Sequence, residues 1–402
     1  MAFPNVDAVV VGAGPAGLAT SQYLSARGIE HVVLERDVVG STWRAERWDS
    51  FTLVSPTWGI RLPEVDLSGL DPDGFLPLEA VVELFESYAR SINAPVRAGV
   101  EVTKLRREDG GYVLSTSEGD WHTRAVVVAS GGLRRPHIPD VEVPAGVTAL
   151  HAIDYRRPDQ LPPGAVLVVG SGQSGSQIAE ELRAAGRTVY LSTSPVGRAP
   201  RRYRGKDFFY WMSRSGNLDQ KTDQTPEMIR RSGQAMLSGG HGGHTIALQQ
   251  LARDGVNLLG HLNGTAGGRF LFADDLAQNM KFADDFAARI RGQIDKYLES
   301  QPGEFPPPDT DPVERPLDVA PDAPTELDAS AVATVLWCTG MRPDTGWLPD
   351  DMLDASGVPQ PEDGSLHVVG FPWLTHRASG VLYGMATDAA GAADRIKAHL
   401  SA

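Results

Sequence analysis

The stretch VDAVVVGAGPAGLATSQYLSARGIEHVVLER, residues 6–36, decides the fold. Its apolar run Val9-Val10-Val11 is short and does not alternate, as a strand buried on both faces of a parallel sheet should read. Gly12-Ala13-Gly14-Pro15-Ala16-Gly17 follows. At this spacing Gly12 permits the tight turn, Gly14 removes the Cβ that would block a pyrophosphate, and Gly17 lets the next helix pack closely on the strand. Pro15 suits the first helical turn, where amides lack intrahelical partners, and the free amides there suit an anion. A second short strand, residues 31–34, ends at Glu35 and Arg36. A carboxylate at that point accepts hydrogen bonds from an adenosine ribose, which favours FAD or NAD over NADP.

The same theme returns at residue 165. Residues 165–169 read as a buried strand, Gly170-Ser171-Gly172-Gln173-Ser174-Gly175 as the turn, 176–185 as a helix and 187–191 as a second strand. The position that holds Glu35 in the first unit holds Thr193 in the second, within Ser192-Thr193-Ser194. No carboxylate stands there to repel a 2′-phosphate, and Arg198, Arg201, Arg202 and Arg204 follow at once. Guanidinium forks match phosphate oxygens, so the second unit is expected to take NADPH, with Arg198 or Arg201 on the 2′-phosphate. The alternative is a solvated basic loop beside an NADH site.

The bulk properties fit a soluble globular protein of two or three domains: 402 residues, 41% hydrophobic, net charge −14. That charge argues against nucleic acid or an anionic membrane as a general partner. Cys338 is the one cysteine, which excludes a disulfide framework, a Cys-x-x-Cys pair and a thiolate zinc site, and a cytoplasmic location is the expectation. Neither a signal peptide nor a membrane-spanning run is evident.

Between the glycine turns, residues 40–58 are rich in Gly, Trp, Arg and Pro and read as loop, with Gly40, Thr42 and Trp43 leaving the second strand toward the same cofactor. Residues 78–92 carry apolar positions 78, 81, 82, 85 and 88, an amphipathic helix. Short strands are expected at 100–105, which contains Val102, at 112–116 and at 125–129, leading to Ala129-Ser130-Gly131. Residues 205–300 hold no nameable chemical motif, although 284–298 looks helical; His241-Gly242-Gly243-His244 reads as polar loop, and no metal is expected. Eight prolines between Pro302 and Pro324 mark an extended connector into a strand at 332–340 that contains Cys338 and ends at Thr339-Gly340. A last strand, 366–369, precedes a helix expected over 380–396.

Taken together, these motifs resemble the class B flavin monooxygenases, which include flavin-containing monooxygenases, YUCCA-type enzymes and Baeyer–Villiger enzymes, and the chain is most similar to short bacterial CzcO-like FAD/NAD(P)-dependent oxidoreductases. The resemblance rests on the two glycine turns, Gly40-Ser41-Thr42-Trp43, Ala129-Ser130-Gly131-Gly132, Thr339-Gly340, Gly370-Phe371-Pro372-Trp373 and Ser379-Gly380-Val381-Leu382-Tyr383-Gly384. Of the family fingerprint Phe-x-Gly-x-x-x-His-x-x-x-(Trp/Tyr), His151 and Tyr155 match, while Ala145 and Val147 replace the Phe and Gly. The loop over 50–62 lacks the Asn that many members have and offers Ser55 and Thr57 instead.

The resemblance implies an α/β fold of two Rossmann-like domains, the second inserted into the first: an FAD domain over 1–160, an NADPH domain over 161–325 with a lid insertion over about 205–300, and an FAD-domain return over 326–402. It implies FAD and NADPH as cofactors, with Gly380 and Leu382 at the flavin, and a monooxygenase that moves one oxygen atom from O2 to a small organic nucleophile. A flavin reductase and a non-catalytic nucleotide-binding regulator are the alternatives. His151, Ser55 and Thr57 are the candidate catalytic groups, and the oligomeric state is left open, a homodimer among the options.

Overall fold

A computed structural model describes residues 5–227, 230, 235–308, 310–317, 323–362 and 364–402. The first glycine turn joins β1 (Asn5–Val11) to α1 (Pro15–Ala26), and α1 returns the chain to β2 (His31–Glu35) beside β1. β2 is buried along its whole length, which explains its unbroken apolar run. The excursion over 40–77 carries α2 (Ser41–Ala45) and leads to α3 (Leu78–Ser91), whose buried residues include the expected 78, 81, 82, 85 and 88. β3 (Val96–Ala98), β4 (Val102–Glu108), β5 (Gly111–Thr116) and β6 (Gly119–Val128) complete this part. β3, β2, β1 and β6 run parallel, and β5 and β4 fold back antiparallel from the first half of β6.

A second sheet follows. β7 (Thr148–His151) and β8 (Val166–Val169) enter it, the second glycine turn leads into α4 (Gln173–Ala184), and β9 (Val189–Ser192) returns. α5 (Phe208–Arg214), β10 (Asn257–Leu259) and α6 (Leu276–Glu299) come next, then β11 (Thr334–Trp337). The order is β10-β9-β8-β11-β7, parallel throughout. β12 (Leu366–Val368) then re-enters the first sheet along the second half of β6, and α7 (Met385–Leu400) packs on α1. The chain is thus an α/β protein with the second Rossmann-like unit inserted into the first.

Strand pairing moves both junctions drawn from the sequence. β7 lies within the stretch 1–160 assigned to the first domain, and β11 within the return 326–402, yet both belong to the second sheet. The crossings lie at Arg135–Pro136 and Met341–Arg342, which pair antiparallel with each other. An apolar run signals a buried strand, whereas the choice of sheet depends on distant partners that the run does not reveal. The last helix also starts later than expected. A Cβ at Gly380 would stand 2.9 Å from Pro372 Cα, so residues 380–384 form a tight loop against Phe371-Pro372 and α7 begins at Met385.

Candidate dinucleotide sites

Both glycine turns are built alike. Gly12 has φ +106°, and a Cβ on it would lie 2.7 Å from the Ala129 carbonyl oxygen; Gly170 has φ +103°, with the Cys338 carbonyl oxygen at 2.6 Å. A Cβ on Gly17 or Gly175 would fall 1.9 or 1.8 Å from the carbonyl oxygen of Gly12 or Gly170. At both positions backbone crowding excludes any side chain. The middle glycines differ in kind, because a Cβ on Gly14 or Gly172 meets nothing within 4 Å. Each opens onto space beside a helix N-terminus that has no side-chain cap and no acidic residue in its first turn. That is the cradle an anionic pyrophosphate requires.

Beside the first turn, Gly12, Glu35, Arg36, Thr42, Val102 and Ser130 line one cleft. Glu35 is buried, with Oε2 accepting from the Ala13 amide at 2.8 Å and Oε1 from the Asp37 amide at 3.0 Å, so the backbone aims the carboxylate and each oxygen keeps further accepting capacity. The buried Ser130 hydroxyl has no partner among the described residues, as fits a group that meets a ligand's polar atom. Sequence reasoning missed Arg134, Asp344 and Trp347 in this cleft. Arg134 is held by Glu46 at 2.8 Å and by the Thr42 hydroxyl; its only sequence signal was the basic Leu133-Arg134-Arg135 run after the Gly131-Gly132 exit. Gly40 is tied to the turn through Ala13 O, and Gly131 adopts φ +90° next to Ser130. Trp43, expected at the cofactor, packs edge-on against Phe51 and Phe85 at 6.0 and 5.6 Å. Leu382 is buried, and its carbonyl accepts the Arg61 amide.

The second turn overturns one expectation. Arg198 and Arg201 are 3% and 2% exposed, and their forks are occupied within the protein. Arg198 binds Asp284 at 2.9 Å and Glu314; Arg201 binds both oxygens of Asp207, at 2.6 and 2.8 Å, and the Val54 carbonyl at 2.9 Å, with its guanidinium over the Phe75 ring. Neither offers donors to a 2′-phosphate. Ser192 and Thr193 are likewise buried and bonded to the carbonyls of Gly260 and Leu259, and Gln173 donates to Leu237 O. Ser174, in the turn itself, is half-buried. Thr339 donates to His137 O.

His151 ends β7 and uses both ring nitrogens. Nδ1 accepts from the Ile153 amide at 3.2 Å, so Nε2 carries the hydrogen it donates to Gly340 O at 3.1 Å. Burial holds its pKa below the usual histidine value, and this neutral clamp steadies the second crossing. Thr57 is buried and donates to Gly74 O at 3.1 Å, whereas Ser55 is half-buried and makes no side-chain hydrogen bond among the described residues. His244 of the His-Gly-Gly-His loop is held by Glu180 at 2.9 Å and Gly240 O at 3.1 Å. Cys338 follows β11, its thiol pushed up to about 12 by burial, and a Cβ at Gly175 would approach its Cβ to 3.1 Å, so it acts as a packing group. Among the described residues no helix is long and apolar enough to cross a membrane.

Comparison with known proteins agrees with this architecture. A chain named a CzcO-like oxidoreductase, from Geobacillus kaustophilus, is 28% identical over 96% of both sequences. The rice indole-3-pyruvate monooxygenase YUCCA1 is 34% identical over 44% of each chain. The solved flavin-containing monooxygenase from Stenotrophomonas maltophilia superposes with a TM-score of 0.68 over 99% of this chain and all of its own, at 18% identity. The family described as pyridine nucleotide-disulphide oxidoreductase matches residues 9–214, more than half of the sequence and both glycine turns, and the protein belongs to that family of flavin-dependent oxidoreductases.

Proposed function

We propose that the protein is an NADPH-dependent FAD monooxygenase that transfers one oxygen atom from O2 to a small organic nucleophile, such as an amine, a thioether or an indolic compound. The observation that carries this reading is the pair of matched cradles, with Gly14 and Gly172 both facing open space on two sheets joined by one paired crossing. FAD fits the first, where Glu35 and the unpartnered Ser130 hydroxyl await a ribose and a polar ligand atom. The nicotinamide nucleotide is assigned to the second. The preference for NADPH over NADH rests on the lack of an acid at Thr193, now without help from Arg198 and Arg201. When bound, the flavin supplies hydride acceptance and O2 chemistry that side chains cannot.

The protein's own task is alignment and exclusion of water. Gly239 sits so close to Leu53 that a Cβ would lie 2.1 Å from the Leu53 carbonyl oxygen, and Arg201 holds the neighbouring Val54 carbonyl. The second unit thereby clamps the 53–57 loop that carries Ser55 and Thr57. A thiol route to disulfide reduction is disfavoured, because the one cysteine is kept protonated by burial. The half-present His151–Tyr155 fingerprint favours N- or S-oxygenation over Baeyer–Villiger chemistry.

The test is to mix flavin-loaded protein with NADPH and O2 across amines, thioethers, indoles and ketones, following NADPH, peroxide and product mass. Substrate-dependent product with little peroxide supports the proposal. Peroxide equal to the NADPH consumed with every compound supports the reductase alternative, and failure to reduce the flavin leaves only a nucleotide-binding regulator.

A further inference from the structure

A cleft of about 340 Å³ opens beside Arg61 and His376, between Tyr23 of α1 and Ala386, Thr387 and Ala390 of α7, and it shares no residue with the dinucleotide cleft. At its base is an ordered chain of polar groups. His376 is 4% exposed, and its Nδ1 lies 2.9 Å from Thr375 Oγ1, which in turn donates to the equally buried Asp388. Thr375 spends its single hydroxyl proton on that carboxylate, and Nδ1 is flanked by a second hydroxyl, Ser379 Oγ, at 3.2 Å. Ser379 Oγ accepts the Thr375 and His376 amides, both at 3.1 Å, and fixes the loop. His376 Nε2 is left without a partner among the described residues, although the ring is almost wholly buried. A Cβ at Gly384 would stand 2.5 Å from Nε2, so glycine there keeps that nitrogen uncovered.

Arg61 supplies the fixed charge. Its guanidinium lies 3.9 Å from the centroid of the Tyr383 ring, and it has no ion pair among the described residues, so the donors on its edge are unspent. The one carboxylate in the lining is the exposed Asp219. One guanidinium facing one rim carboxylate suits a monoanion with two coplanar oxygens better than a phosphate dianion. We infer that this cleft binds the carboxylate of a small organic acid, gripped by the Arg61 fork and by His376 Nε2, the ring nitrogen that the Thr375–Asp388 chain leaves facing the cleft.

The probe is sodium benzoate, titrated calorimetrically into the flavin-loaded protein, with inorganic phosphate as the competing arm. One benzoate per chain is expected to bind, in preference to phosphate. Arg61→Gln should weaken benzoate at least tenfold while flavin content stays that of the parent protein, and His376→Asn should do the same. Absence of benzoate binding, tighter binding of phosphate, or an Arg61→Gln affinity within twofold of the parent value would each overturn the inference. Arg61 is exposed and unpaired, so its variant tests the site even where the buried His376 variant folds poorly.

Discussion

At the residue scale, the glycines and the arginines were legible to different degrees. The outer glycines of each dinucleotide turn are required by crowding from backbone five residues away or from the residue just after the adjacent strand, and the middle one by the space a ligand needs, so spacing alone announces them. Arg198 and Arg201 looked like free forks because their partners, Asp284, Glu314 and Asp207, are set by folding and not by adjacency, as is the Val54 carbonyl. Gly14→Val should therefore yield folded protein that purifies largely without FAD, while Gly172→Val should keep FAD but lose NADPH-dependent flavin reduction; absorbance of the purified variants checks both. Arg198→Ala should act on stability. It leaves Asp284 without its cation and Glu314 with Arg291 alone, a cost of about 3 kcal/mol for a broken buried pair, and a clear fall in Tm. The ratio of NADPH to NADH use should stay within about twofold, and a larger change would restore the arginine to the phosphate.

At the element scale, the periodic and buried runs foretold most strands and helices, whereas membership and starting points depended on tertiary contacts. The 78–91 helix shows its apolar stripe in sequence; β7 and β11 show only that they are buried, and both sheets could accept them. β12 carries a feature that no pattern signals. His367 points inward at 2% exposure with neither ring nitrogen in a hydrogen bond of normal geometry among the described residues, and burial, only partly offset by the nearby Gly364 backbone, pulls its pKa down to about 4. The unfolded chain, with a histidine near its ordinary value of about 6.5, binds the proton more tightly than the folded one. This site's stability is therefore full above about pH 6.5 and is lost as pH falls toward 4, by about 2 kcal/mol at pH 5. His367→Leu should flatten the decline of denaturant midpoint between pH 7 and 5; an unchanged slope would show that other groups govern acid sensitivity.

At the scale of the whole molecule, the two sheets must hold two dinucleotides in register across a junction of only two chain crossings. Contacts outside the crossings stiffen it. Glu181 on α4 accepts from Ser50 of the first unit's excursion at 2.6 Å and from Tyr155, which follows β7 and is wholly buried, at 2.7 Å. The Asp49 amide donates to the Arg156 carbonyl in the same seam. Tyr155 was legible as half of a fingerprint, but its partner was not, because Glu181 reads in sequence as an ordinary helix-surface acid. Burial and the adjacent carboxylate both push the phenol's pKa far upward, so it stays a donor at every working pH. Glu181→Ala removes both acceptor oxygens and leaves the buried phenol unsatisfied at a cost of about 1–3 kcal/mol. Neither cradle contains Glu181, so FAD content and the affinity for NADPH should hold near parent values while the rate of flavin reduction at saturating NADPH falls, severalfold or more, as the nicotinamide loses its alignment. Stopped-flow reduction measures this directly, and a parent-like rate in a variant of lowered Tm would confine Glu181 to stability alone.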